Sequence, residues 1–323
     1  MLARLILVAW ALLLCAPPLK AQSRLRWSGL WYADYYYILA SPERAQRGQN
    51  GFAFRRLYLT ADWNARASLD GRVRLEVDDR SFTTDGRPGP FVKDLYLRFA
   101  LGRHQLIAGI SPTPAFEAPE EGWGYRSLER TILDFNRVAS TRDFGLSVRG
   151  PLGAKGALSY WLMFGNNNGV RHEQDKFKRL YGRLAWQAQS GPVLTLYADY
   201  GRYQEDRRLW TWAGYVGYVG VLQRAGLELF AHRFERPRDP DDRLWGISLF
   251  GARRISEPIA ILARADLVQR SLQGRRSRLE YAIAGVDWTI APEVNLILNF
   301  YRTRLSPGAR DSWTGRLTLH WRF

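Results

Sequence analysis

The sequence predicts an all-β fold, a transmembrane antiparallel β-barrel of about 16 strands with short turns on one side and longer loops on the other. Three observations support this prediction: apolar and polar residues alternate along many short segments, aromatic residues are abundant, and short and long connections alternate. The chain has 46% hydrophobic residues and a mean hydropathy of -0.32. After the first residues it contains no apolar run long enough for a membrane-spanning helix, so strands would have to cross the membrane.

The alternation of side chains is clearest in residues 69–78, LDGRVRLEVD. Every second residue there is apolar or glycine, and every residue between is charged. A period of two residues marks a strand with one apolar and one charged face. The last segment of the chain repeats the pattern, with Leu317, Leu319, Trp321 and Phe323 on one face. These segments are close to the length that a tilted strand needs to cross a membrane.

Sixteen segments of this kind are predicted to be strands. They are residues 27–38, 51–62, 68–78, 91–101, 103–110, 142–150, 156–165, 177–188, 192–203, 209–220, 223–234, 243–253, 258–269, 277–288, 293–303 and 312–323. An even number of strands places both ends of the chain on the same side of the membrane, which is periplasmic in outer-membrane barrels. The aromatic content of 14%, with 13 Trp and 16 Tyr, fits the rings of aromatic side chains at the two membrane surfaces.

The connections between these segments are predicted to alternate strictly between short and long. The short ones are residues 63–67, 102, 151–155, 189–191, 221–222, 255–257 and 289–292, and the long ones include 39–50, 79–90, 166–176 and 235–242. Short periplasmic turns and longer outer loops are typical of outer-membrane barrels, whereas a soluble sandwich has no reason for this pattern. Residues 111–141 form the longest connection, the third outer loop. We expect this loop to fold into the barrel and constrict it.

Residues 1–21 have the features of a secretory signal peptide: Arg4 precedes an apolar stretch at 5–14, and Ala21 is a small residue at the end. The single cysteine lies in this segment. The predicted mature barrel, residues 22–323, therefore has no disulfide and must be stabilised by burial and hydrogen bonding.

The net charge of +16 comes almost wholly from arginine. A charge this large indicates an anionic partner, such as phosphate, carboxylates, lipopolysaccharide or nucleic acid. Nucleic acid fits an exported protein badly, and the arginines are dispersed among acidic residues. We therefore expect no nucleic-acid partner.

Several short segments resemble the phosphate-selective porin O/P family. Residues 52–59 (FAFRRLYL), 93–97 (KDLYL), 108–114 (AGISPTP) and 142–146 (RDFGL) are similar, in that order, to the N-terminal half of that family, and 285–301 resembles its penultimate hairpin. The resemblance implies a trimeric, 16-stranded channel for small anions such as phosphate in the outer membrane of a Gram-negative bacterium, in contact with lipid and lipopolysaccharide. The chain differs from the phosphate-specific members in having only four lysines after the signal segment.

The C-terminal residue, Phe323, follows Trp321 at a spacing of two. It matches the terminal aromatic residue that outer-membrane barrels present to the barrel assembly machinery. We therefore interpret Phe323 as an assembly signal.

Strand alternation predicts a set of arginines that face the lumen and contact anions. These are Arg56, Arg72, Arg74, Arg98, Arg149, Arg183, Arg264 and Arg316, to which the long loop adds Arg126 and Arg130. The guanidinium group suits bidentate contact with phosphate or carboxylate oxygens. The alternative is that each arginine pairs with a lumen carboxylate. Since adjacent residues point to opposite faces, Arg56 is expected to point inward and Arg55 to lie at the membrane interface.

No catalytic, cofactor or metal site is predicted. The four histidines, His104, His172, His232 and His320, lie on different predicted hairpins without the spacing of metal ligands. The sequence thus favours a porin for passive diffusion of small anions and not an enzyme. Two alternatives remain: an outer-membrane barrel with a plugged lumen and an enzymatic or adhesion role, and an exported soluble β-protein that binds polyanions.

Overall fold

The strands of the computed structural model form one closed antiparallel sheet in which each strand pairs with its neighbours in sequence and β1 pairs with β16. The structure describes residues 24–79, 81–153, 156–188, 191–237, 239–306, 308 and 310–323. The predicted signal peptide, 1–21, lies outside these residues. Within them, no helix is long and apolar enough to cross a membrane.

The prediction of a 16-stranded barrel is confirmed. The strands are β1 (Arg24–Ala40), β2 (Asn50–Arg66), β3 (Leu69–Asp78), β4 (Phe91–Leu101), β5 (His104–Pro112), β6 (Arg142–Leu152), β7 (Leu158–Gly165), β8 (Arg179–Gln187), β9 (Val193–Gln204), β10 (Arg207–Val219), β11 (Gln223–Glu235), β12 (Asp242–Arg254), β13 (Ile259–Leu272), β14 (Arg275–Ala291), β15 (Val294–Ser306) and β16 (Ser312–Arg322). Each predicted segment overlaps one of these strands, because a period of two residues is a direct signature of the pleat.

Side chains alternate between the lumen and the outer surface along each strand. In β11, Leu229 is 46% exposed on the outside, whereas its neighbours Glu228 and Phe230 are buried inside. The exterior carries a wide band of such apolar side chains, which include Leu194, Leu196, Trp212, Trp245, Leu249, Val286 and Leu298. An apolar exterior around a charged interior is the arrangement of a barrel that spans a membrane.

The seam between β1 and β16 includes the C-terminal residue. The backbone N–H of Gly29 donates to the Phe323 carbonyl oxygen at 2.5 Å, and the Phe323 N–H donates to the Gly29 carbonyl oxygen at 3.1 Å. A Cβ atom at Gly29 would overlap the Phe323 ring, 2.1 Å away. Phe323 therefore packs on the first strand where the barrel closes. Its role as an assembly signal stays a prediction.

Two outer connections are much shorter than the sequence pattern indicates. β9 and β10 are joined by residues 205–206, and β13 and β14 by 273–274. In the second turn, Gln273 and Gly274 have φ angles of +50° and +78°, which resemble the two central residues of a type I′ hairpin. The predicted strict alternation of short and long connections is therefore wrong at these two positions, because the strands extend beyond the apolar pattern into polar residues.

Gly109 in β5 is a position where only glycine fits. Its φ angle is +124°, and a Cβ atom there would lie 2.2 Å from the Leu95 carbonyl oxygen on β4. We expect Gly109→Ala to lower the free energy of unfolding by about 1–3 kcal/mol, through backbone strain and steric overlap. The unfolding of the refolded barrel in urea, followed by tryptophan fluorescence, measures this loss.

Gly86→Ala is the matched control for Gly109→Ala. Gly86 also has a positive φ angle, +79°, but nothing lies within 4 Å of the added Cβ atom. This variant therefore tests the backbone conformation without the overlap, and its loss should be smaller. Equal losses for the two variants would contradict the close approach of β4 to β5.

Candidate functional site

The chain between β5 and β6, residues 113–141, lies inside the barrel and packs against its wall. It contains two short helices, α1 (Glu117–Trp123) and α2 (Ile132–Phe135). One buried apolar cluster joins this loop to β7–β14. The loop contributes Ala115, Phe116, Ile132, Leu133, Val138 and Ala139, and the wall contributes Met163, Tyr181, Tyr197, Phe230, Val268 and Leu279.

A second apolar cluster holds the tip of the loop. Trp123 and Leu128, both almost completely buried, pack on side chains of β10 and β12–β15. These wall residues are Tyr215, Phe250, Leu262, Tyr281, Ile283, Ile297 and Tyr301. The Tyr301 hydroxyl donates to the Leu128 carbonyl oxygen at 2.8 Å, and the Trp123 Nε1–H donates to the Glu129 carbonyl oxygen at 2.8 Å. The loop therefore covers the apolar part of the inner wall.

Arg126 forms two ion pairs within the loop. Its guanidinium lies 2.5 Å from a Glu120 carboxylate oxygen in α1 and 2.8 Å from an Asp134 carboxylate oxygen in α2. Burial raises the pKa of the Asp134 carboxyl, but the charges of Arg126 and Arg130 outweigh it and hold the pKa below its usual value. The Asp134 carboxylate is thus charged at neutral pH, and one cation, Arg126, joins the two helices.

The rest of the inner wall is charged, and four carboxylates, three on the wall and one in the loop, each lie between two cations. The groups are Asp34 with Arg55 and Arg316, Glu76 with Arg56 and Lys93, Asp94 with Arg74 and Arg142, and Glu117 with Arg149 and Arg183. The nitrogen–oxygen distances are 2.6 and 3.7 Å at Asp34, 2.8 and 2.5 Å at Glu76, and 3.3 and 2.8 Å at Glu117. Each shared carboxylate leaves one positive charge uncompensated within its group.

Two predicted arginines are instead neutralised one to one. Arg72 donates to both oxygens of Asp62, at 2.7 and 3.0 Å, and Arg98 contacts Asp70 at 2.9 and 3.0 Å. At these two positions each arginine pairs with a lumen carboxylate, which is the alternative to contact with anions that the sequence leaves open.

Arg264 does not line an open lumen. Arg264 forms a buried pair with Asp266 at 2.6 Å and donates to the Arg130 carbonyl oxygen. It therefore lies under the loop and helps to hold it, as Arg126 does within the loop. The loop covers the wall around Arg264, which passing anions therefore do not reach, whereas Arg126 borders the outer part of the lumen and its contact with anions stays a prediction. Arg130 itself borders the outer part of the lumen.

Arg55 also faces the lumen, contrary to the expectation that it lies at the interface. In the pairing of β1 with β2, Tyr32 is opposite Arg56 and Ala33 is opposite Phe54, so Arg55 is an extra residue in a β-bulge. Its guanidinium donates to Asp34 at 2.6 Å. A bulge inserts one residue and resets the alternation, so both adjacent arginines point inward.

A second bulge acts in the same way on β4. Arg74 of β3 is opposite Asp94, but Leu75 is opposite Val92, so Lys93 is the extra residue. Lys93 and Asp94 are both buried in the lumen wall. Sequence alternation therefore missed Lys93 and Arg55, and it also missed Arg142, which lies at the very start of β6.

On the outer side of the loop the lumen widens into a cavity of about 800 Å³. Its basic lining residues are Arg56, Lys93, Arg126, Arg130, Arg137, Arg142, Arg171 and Arg179. The acidic residues are fewer: Glu76, Asp78 and Asp134. An anion that enters from the loop side therefore meets more cations than carboxylates before it reaches the charged wall.

The fold is that of the 16-stranded barrels of the outer membrane. No family model matches the chain, and no curated protein sequence matches it. Solved structures of outer-membrane porins and channels match the fold over nearly their whole length.

Three of these structures show how far the similarity extends. The anion-selective porin from Comamonas acidovorans has a TM-score of 0.68 and 11% identity, with 94% of this chain and 100% of that chain covered. OmpT of Vibrio cholerae, folded in vitro and in its trimer form, has a TM-score of 0.66 and 10% identity, with 94% and 100% covered. DcaP, an outer membrane channel of Acinetobacter baumannii, has a TM-score of 0.67 and 10% identity, with 94% and 99% covered. Identities this low establish the fold alone.

Replacement of Arg126 tests whether the loop is held by its internal ion pairs. In Arg126→Met the two carboxylates that it joins lose their common partner, and a partly buried charge without a partner is costly. We expect the loop to move, with a higher mean single-channel conductance and more open-channel noise in planar bilayers. Arg137→Met is the matched control, since Arg137 is exposed in the same loop. Identical traces for the two variants would contradict this role of Arg126.

Proposed function

We propose that the chain is a passive porin in the outer membrane of a Gram-negative bacterium, with a preference for small anions. The observation that carries this proposal is the set of four lumen carboxylates that each lie between two cations. The apolar wall is covered by the loop, so the free wall of the lumen is the charged one. A positive wall raises the local concentration of anions and lowers that of cations.

An anion would pass along the wall through several weak contacts. Arg149 and Arg183 share Glu117, and both lie over the Trp161 ring, 4.9 and 5.2 Å from its centre. A guanidinium group has five N–H donors, so a shared carboxylate leaves some of them for a solute. Such contacts replace part of the hydration shell of the anion and still release it, as conduction requires.

The proposed solute and oligomeric state rest on the sequence resemblance and on the similar solved structures. Phosphate is one candidate solute, since the resemblance to the phosphate-selective porin O/P family points to it. A homotrimer is supported by the trimer form of the structurally similar OmpT. We propose contacts of the exterior with lipid and lipopolysaccharide, recognition of Phe323 by the assembly machinery, and no enzymatic role.

Measurement of the reversal potential in a salt gradient across a planar bilayer tests the anion preference. The wild type is expected to favour chloride over potassium. Arg149→Gln removes one cation from the Glu117 group and should lower the permeability ratio of chloride to potassium by roughly twofold. A cation-preferring wild-type channel would contradict the proposal, and a barrel without conductance would favour the plugged alternative.

The double variant Arg72→Gln/Asp62→Asn is the control for this experiment. It removes a cation and a carboxylate together from the same wall, where they form a one-to-one pair. The permeability ratio should therefore stay at the wild-type value. A change as large as that of Arg149→Gln would show that the excess charge of the shared groups does not set the selectivity.

A further inference from the structure

A second cavity lies at the short-turn end of the barrel, beneath the tip of the loop. Its volume is about 350 Å³. The turns at 220–222 and 257–258 border it, the inner faces of β11–β16 form its wall, and Gly124 and Tyr125 of the loop form its ceiling. The loop therefore separates this cavity from the outer part of the lumen, and an occupant would reach it from the short-turn side.

Four arginines line this cavity: Arg253, and three whose side chains point inward from the ends of three strands. Arg224, Arg254 and Arg322 share the inward parity of the buried residues Glu228, Ser248 and Thr318 on β11, β12 and β16. Within the described part of the chain, none of these arginines forms an ion pair. Their hydrogen-bond donors are therefore largely available to an anion.

The hydrogen bonds that these arginines do form are to neutral oxygens. Arg224 donates to the Glu121 carbonyl oxygen at 3.2 Å, directly under the loop tip. Arg322 donates to the Pro292 carbonyl oxygen at 3.2 Å and to Asn295 Oδ1 at 3.4 Å. These contacts orient the two guanidinium groups and leave their charges uncompensated.

The cavity has two acidic residues, Asp287 and Glu257, against its four arginines. Asp287 accepts hydrogen bonds from Asn295 Nδ2 at 2.9 Å and from the Tyr125 hydroxyl, and Glu257 belongs to a turn. The cavity also contains His320, whose buried Nε2 atom has no hydrogen-bond partner among the residues that the structure describes. The lining thus combines an excess of cations with an unsatisfied polar atom.

Three arginines at the opposite rim are arranged differently. Arg233 lies 2.9 Å from Asp241, Arg236 lies 2.5 Å from Asp242, and the Arg302 guanidinium is 2.9 Å from an Asp311 oxygen. These outer arginines are thus paired, whereas those of the short-turn cavity are not.

We propose that this cavity is a binding site for small multivalent oxyanions, entered from the short-turn side of the barrel. The site lies apart from the charged wall and would be a second anion-binding site in the proposed channel. Its effect on the current rests on the proposed channel function. A multivalent anion held between Arg224 and Arg254 would lie against the loop tip and obstruct the inner exit. Block of the current should therefore depend on the side of addition.

Inorganic pyrophosphate and citrate, added to one side of oriented channels in a planar bilayer, test this proposal. The concentration for half-block should be at least fivefold lower from the short-turn side than from the loop side. Pyrophosphate block without citrate block would assign the site to phosphates, and the reverse would assign it to carboxylates. Equal block from both sides, or no block by either anion, would overturn the proposal.

Arg224→Gln/Arg254→Gln should raise the half-blocking concentration from the short-turn side more than tenfold. The control, Arg233→Gln/Arg243→Gln, removes the same charge at the outer rim and should leave this block unchanged. Arg254→Gln alone changes an exposed side chain and should give at least a threefold increase, so the test does not depend on the folding of the double variant. Unaltered block in these variants would contradict the site.

Calorimetric titration of pyrophosphate into the detergent-solubilised barrel separates this inference from the channel function. Binding that Arg224→Gln/Arg254→Gln abolishes supports the site even in a barrel that does not conduct. Anion-selective conductance with no calorimetric binding would overturn the site and leave the porin proposal intact.

Discussion

Closure of the sheet between β1 and β16 is the constraint on which the rest of the structure depends. A backbone that crosses hydrocarbon must satisfy its N–H and C=O groups within the protein, and an open sheet edge would leave a row of them unpaired. The ten paired positions between these two strands remove that edge. Closure also creates an interior that is shielded from lipid, in which charged side chains can be placed along every strand.

The loop at 113–141 then divides this interior into two unlike parts. Its apolar residues cover the apolar side chains of β7–β15, and burial of these surfaces holds the loop in place. The charged side chains, most of them on β1–β6 and β16, remain along the free lumen. In the proposed channel, stability and selectivity thus come from different parts of the wall: the apolar part fixes the loop, and the charged part faces the solute.

The strands and their inward faces were largely predictable, because alternation with a period of two is read directly from the order of residues. The inward orientation of Arg55 and Lys93 could not be predicted in this way. Each is the extra residue of a β-bulge, and a bulge leaves no reliable mark in a single sequence. The burial of Arg264 under the loop could not be predicted, because the position of a long loop depends on tertiary packing. The two-residue turns at 205–206 and 273–274 were missed because polar residues continue the strands there.

The anion preference of the lumen is tested most directly by anomalous scattering, which locates halide ions in crystals of the protein grown in bromide. Bromide is expected beside the arginines of the shared carboxylates, around Glu76, Asp94 and Glu117. Bromide bound only at the rims, or at Arg72 and Arg98 but at none of the shared groups, would contradict this preference.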